Sequence, residues 1–148
     1  MGRVGVARAS GFEDLGELVV ADLDLAAAEK IVAECAPSAR THLRAASVDV
    51  TDPTALAALL RPADVVLNTT GPFYRLGVPV LQAAIEAGCH YIDICDDWEP
   101  TLDMLALHDE AAARGVLAVI GMGASRFESP GLAPMPITAR TPRAAASS

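Results

Sequence analysis

From Glu17 onward the chain repeats one pattern: a short apolar run, a turn of small or acidic residues, and an alanine-rich stretch with apolar residues at helical spacing. Such repetition with short connections dictates crossover units on a parallel sheet, because a helix between two parallel strands must lie on a sheet face. ELVVAD at 17–22 is bounded by Gly16 and an acid and reads as a buried strand. Asp24 is placed to cap a helix over 25–35, which Pro37 closes. A second strand is expected at 47–50, then a brief helix at 54–60 behind Thr51, Asp52 and Pro53. A third strand at 64–68 stops at Thr69, Thr70, Gly71 and Pro72, and a helix at 78–87 ends at Gly88. A fourth strand at 90–94, a helix at 101–114 ended by Gly115 and a fifth strand at 116–120 complete the series. This is an α/β pattern.

Such a domain needs a sizeable core, and 148 residues with 52% hydrophobic content supply enough for one. Nineteen acidic residues against 11 basic ones give a formal charge of -8, which a phosphate lattice repels. Neither nucleic acid nor an anionic membrane surface is therefore an expected partner. No apolar run reaches the roughly 18 residues of a membrane span, and residues 1–5 lack a secretory apolar stretch. Three widely spaced cysteines, Cys35, Cys89 and Cys95, make no disulfide framework and point to a reducing, cytoplasmic setting. After Gly123 the pattern stops. Residues 126–148 hold four prolines, three arginines and one glutamate without period. The expected division is thus 1–125 for the α/β domain and 126–148 for a disordered Pro/Ala/Ser-rich tail.

In an open parallel sheet, ligands bind at the carboxyl ends of the strands, so the residues that end each strand carry the chemistry. Asp22 is the first of these. A carboxylate there accepts hydrogen bonds from both ribose hydroxyls of NAD and repels the extra phosphate of NADP. It lies 20 residues after Gly2, and no Arg or Lys follows it directly, so NAD is the expected cofactor ahead of NADP. The plainer alternative is that Asp22 only caps a turn. Gly2 and Gly5 open a helical pattern, where a pyrophosphate meets free amides and the positive end of the dipole. Asp49 and Val50 can edge an adenine, or Asp49 is a solvated loop acid. Asn68, Thr69, Thr70, Gly71, Pro72 and Phe73 join small polar groups, a glycine that allows close approach, and a proline that stiffens the loop. Such a loop suits the nicotinamide ribose and pyrophosphate; the alternative is a bare turn.

The series NTTGPF at 68–73, Gly77, AAIEAGCHYID at 83–93 and GMGAS at 121–125 resembles the NAD(P)-binding domain of the saccharopine dehydrogenase family. The resemblance implies a Rossmann-like doubly wound parallel sheet, a nicotinamide cofactor, and imine reduction or secondary-amine oxidation on amino-acid substrates. Carried over by position, it makes Gly2 the last fingerprint glycine, Asp22 the ribose acid, Asp49 and Val50 the adenine edge, and Thr70, Gly71 and Pro72 the loop beneath the cofactor. Two departures stand out. The first strand and its glycine-rich turn are lacking, and after residue 125 the likeness fades, without the substrate domain the family carries. The expectation is a truncated domain with two bare inner sheet edges, open to a second copy of the chain. Alone, it is expected to be marginally stable, inactive, and weak or null in NAD binding.

Other chemistries fit less well. A short-chain dehydrogenase pairs a Tyr with a Lys four residues on, but the sole lysine, Lys30, follows neither Tyr74 nor Tyr91. Cys89, His90, Cys95, Asp96 and Asp97 suggest a metal or a nucleophile pair. Strand alternation, however, sends neighbours to opposite faces and there is no Cys-x-x-Cys, so no metal is expected. Asp96, Asp97 and Tyr74 follow ligand-facing strand ends and are candidate substrate contacts, with a solvated loop as the alternative. No catalytic residue can be assigned. Two functions follow: the cofactor domain of an oxidoreductase, or a non-catalytic Rossmann remnant that binds a nucleotide or a protein.

Overall fold

In the computed structural model, which describes residues 2–122 and 137–140, the first element is helix α1 (Gly2–Ala9). Strand β1 (Glu17–Asp22) follows, its Leu18, Val19 and Val20 buried. Asp24 accepts the Ala26 amide at 2.9 Å and so caps α2 (Leu25–Cys35). A single 3-10 turn, Ala36–Ser38, carries Pro37. Strand β2 is His42–Ser47, not 47–50 as expected. Its HLRAAS sequence lies at the sheet edge with no fully buried residue, so it lacks the apolar run that marks a covered strand.

Asp52 accepts the Thr54 and Ala55 amides and caps α3 (Pro53–Leu60), with Pro53 in the first turn where its missing N–H costs nothing. Strand β3 is Val65–Asn68. Helix α4 (Phe73–Ala87) begins five residues earlier than the expected 78 and runs through Pro79. Pro79 is exposed, whereas the stripe of Phe73, Gly77, Val80, Leu81, Ala84 and Ile85 is buried, and that burial outweighs one lost backbone bond. Gly88 ends α4 at φ 72°, a left-handed position suited to glycine. Strand β4 (His90–Asp93) precedes two helices where one was expected: α5 (Trp98–Leu105) and α6 (His108–Ala113). The fifth strand shortens to β5 (Ala118–Val119).

The sixth strand was unforeseen. Ile137–Arg140 forms β6, and the expectation of a structureless tail is corrected for these four residues. The sheet order is β2-β1-β6-β3-β4-β5. β1 and β2, β3 and β4, and β4 and β5 pair in parallel, while β6 lies antiparallel to both neighbours. In a Rossmann sheet that central place belongs to the first strand. Unpaired amides and carbonyls at a sheet centre cost several kcal/mol if left unmet. Here the inner edges of β1 and β3 are not bare, because β6 pairs with Glu17, Leu18 and Val19 on one side and Val65, Val66 and Leu67 on the other.

Helices cover both faces. α1 and α2 pack with Leu18 and Val20 on one, and α3, α4 and α5 form the larger core with Val66 and Tyr91 on the other. Cys35, Cys89 and Cys95 are buried and free. Burial, with the Asp64 charge adding, pushes the Cys89 thiol up to about 12 from its ordinary 9.0. As pH rises the unfolded thiol ionises first. The Cys89 contribution to stability is therefore complete below pH 9 and is lost toward pH 12, by at most about 1.4 kcal/mol per pH unit from this thiol, with the raised Tyr91 hydroxyl and Cys35 thiol adding to the slope in the same direction. Urea melts on the alkaline side should show a falling stability, and Cys89→Ala should make the fall shallower. Among the described residues, no helix is long and apolar enough to cross a membrane.

Candidate dinucleotide site

The ladders beside β6 end at Val19 on β1 and Leu67 on β3, so Ala21, Asp22 and Asn68 project beyond it at the carboxyl edge. A cleft of about 490 Å³ opens there, within the range of about 300–1,000 Å³ typical of small-molecule sites. It brings together residues distant in sequence: Asp22, Asp49, Val50, Asn68, Thr69, Thr70 and Gly71 all line it. Its apolar lining comes from Val48, Leu56, Leu60, Val66 and Val80.

Each polar group is positioned locally. Asp22 ends β1, and one of its oxygens accepts the Asp24 amide at 3.0 Å; its side chain is exposed at the rim. Asp49 lies in the turn after β2, not in a strand. The Thr51 hydroxyl at 2.6 Å and amide at 2.8 Å both donate to its Oδ1 and hold its carboxyl below the usual range. Asn68 is 3% exposed; its Oδ1 accepts the Thr70 amide at 2.9 Å and its Nδ2 donates to the Tyr91 hydroxyl at 3.0 Å. Gly71 is a case of open space: a Cβ built there meets nothing within 4 Å, and its φ is not positive. The fold itself does not require glycine at 71, whereas close approach of a ligand would.

Gly2 opens α1, and its surroundings lie outside the described residues. Other expected residues do not reach the cleft. Pro72, joined to Gly71 by a cis peptide bond, is exposed outside it, and Phe73 turns into the core under α4. Tyr74, Asp96 and Asp97 are exposed and also lie outside. Asp97 precedes α5, where its carbonyl accepts the Thr101 hydroxyl at 2.7 Å. Among the described residues, no group of three His, Cys, Asp or Glu side chains is placed to hold a metal ion. Among the described residues, the cleft lining contains no His, Lys, Tyr or Cys.

A doubly wound sheet with a carboxyl-edge cleft, acids at two strand exits and a small-residue loop at a third defines a Rossmann-type dinucleotide-binding domain. Residues 2–119 match the pattern described as the saccharopine dehydrogenase NADP binding domain, and the chain belongs to that family. The saccharopine dehydrogenase-like oxidoreductase of Mus musculus is 35% identical over 94 residues, which are 63% of this chain and 21% of that protein. The trans-acting enoyl reductase of Mycobacterium leprae (strain TN) is 33% identical over 76 residues, 51% of this chain and 18% of that one. The chain thus spans about a fifth of the length of these curated relatives. The apo saccharopine dehydrogenase (L-Glu forming) of Saccharomyces cerevisiae superposes with a TM-score of 0.66 at 23% identity, covering 82% of this chain and 25% of that one, which establishes the shared fold. The pyridine-nucleotide class of the cofactor follows from the family; its description names NADP, where Asp22 had pointed to NAD.

Proposed function

We propose that this chain holds a nicotinamide dinucleotide for an oxidoreductase that reduces imines or oxidises secondary amines of the amino-acid type. The observation that carries the reading is the cleft itself: Asp22, Asp49 and the 68–71 loop converge at the carboxyl edge of a family member's sheet. A bound dinucleotide supplies or accepts the hydride. The chain's own part is to bind and orient: Asp22 meets the adenosine ribose, Asp49 and Val50 flank the adenine, and the 68–71 loop runs beside the nicotinamide ribose. Among the described residues the lining holds no titratable group other than Asp22 and Asp49, so the described part of the chain is expected to bind the dinucleotide without turnover. Buried free thiols accord with a reducing, cytoplasmic setting.

Gly71→Val tests the reading. Because the position has open space around it, the melting temperature should stay within about 2 °C of the unaltered chain, corresponding to well under 1 kcal/mol. Binding of NADP or NAD, followed by calorimetry, should weaken about thirtyfold, because the new methyls fill the approach to the loop. Equal affinity in the variant would remove the cleft from consideration. Cofactor choice turns on Asp22. The family favours NADP, and we expect Asp22→Asn to raise affinity for NADP relative to NAD by about tenfold, by lifting one repulsion and one ribose acceptor. An unchanged ratio would place the ribose elsewhere.

A further inference from the structure

A chain of buried hydrogen bonds runs behind the cleft and joins the ends of three strands. Tyr91, fully buried on β4, donates its hydroxyl proton to Asp93 Oδ2 at 2.9 Å. The Asp93 side chain, also fully buried, accepts the Cys95 amide at 3.0 Å and the Gly121 amide at 2.8 Å on its Oδ1. Asp93 thus ties together the chain leaving β4 and the chain leaving β5. With its proton committed to Asp93, the Tyr91 oxygen is left as an acceptor, and Asn68 Nδ2 donates to it. That contact decides which way the Asn68 amide faces, since its two ends are alike in shape and differ only in hydrogen bonding. Its Oδ1 is thereby turned to the Thr70 amide, inside the loop that lines the cleft.

We propose that Tyr91 and Asp93, neither of which lines the cleft, are positioning residues for the dinucleotide: through Asn68 they hold the 68–71 loop in the shape that receives it. The proposal rests on the dinucleotide reading above. Its physical basis is directionality. Tyr91 joins Asp93 and Asn68 at 2.9 and 3.0 Å, with Met104 Sδ a more distant neighbour of its hydroxyl at 3.9 Å, and among the described residues no buried side-chain polar atom is left without a partner. Tyr91→Phe removes one oxygen and keeps the ring packing. Asn68 then loses the acceptor that sets its orientation, and the Thr70 amide loses a fixed partner.

Two measurements on the full chain test this. Calorimetric titration with NADP and with NAD should show Tyr91→Phe binding about tenfold more weakly than the unaltered chain. Amide hydrogen exchange by NMR should show Thr70 N–H exchanging about tenfold faster, with the β1 amides of Leu18 and Val20 unchanged. Asp93→Asn, which keeps an oxygen for the Cys95 and Gly121 amides, should give the same pattern should Tyr91→Phe fail to fold. Unaltered affinity, or faster exchange at all amides in parallel, would overturn the proposal by reducing the network to a structural role. If the unaltered chain binds neither nucleotide, the dinucleotide reading falls and this proposal falls with it. If the unaltered chain binds and the variants bind equally well, only the proposal falls.

Discussion

Thr138→Pro should unfold this protein in urea concentrations at which the unaltered chain is native. Thr138 sits at the middle of the sheet, paired with Val19 on one side and Val66 on the other. Proline there removes a backbone donor and places its ring against a neighbouring strand, where no solvent can compensate. A cost of about 3 kcal/mol is expected, a large share of the roughly 5–15 kcal/mol by which domains of this kind are stable. The urea midpoint should fall accordingly, and the amides of Leu18 and Val66 should exchange at the rate of global opening. An unchanged midpoint would show that the β1 and β3 edges do not depend on β6.

Asp93→Ala should be comparably severe. The carboxyl is fully buried and receives three donors, the Tyr91 hydroxyl and the Cys95 and Gly121 amides. Alanine leaves the Tyr91 hydroxyl and the Cys95 amide buried without the carboxylate, while the exposed Gly121 amide turns to water; each orphaned buried donor costs about 1–3 kcal/mol, so a loss of about 3 kcal/mol is expected. Thermal unfolding followed by circular dichroism is the check. A loss below about 1 kcal/mol would mean that water replaces the carboxyl, against the burial seen here.

How much of this was legible in the sequence depends on what each residue faces. β1 and α2 were readable to both ends, because ELVVAD holds three successive buried apolar residues, Leu18, Val19 and Val20, and Asp24 is a strong cap. β2 was misplaced, since an edge strand such as HLRAAS alternates weakly and looks like loop. β6 was invisible for another reason: four residues, ITAR between Pro136 and Pro142, are too few to show a period, and their place follows only from what β1 and β3 lack. The cleft residues Asp22, Asp49, Asn68, Thr69, Thr70 and Gly71 were legible because strand exits can be counted along the chain. The apolar lining and the Tyr91 and Asp93 pair were not, since a residue facing inward in a strand reads as core whether it packs or carries a network.

The antiparallel strand also sets the order in which the sheet is able to close. Glu17 pairs with His42 and Val65 pairs with His90, so each parallel ladder forms across one crossover unit. Joining the two ladders instead requires Glu17 to meet Arg140 and Val65 to meet Ala139, the longest-range pairings in the sheet. Closure of so large a loop is entropically late and slow, with little return until the whole strand is docked. The two parallel ladders, each with its own helices, are thus joined through one short segment, and the cleft lined by Asp22 from one and Asn68 from the other spans that junction.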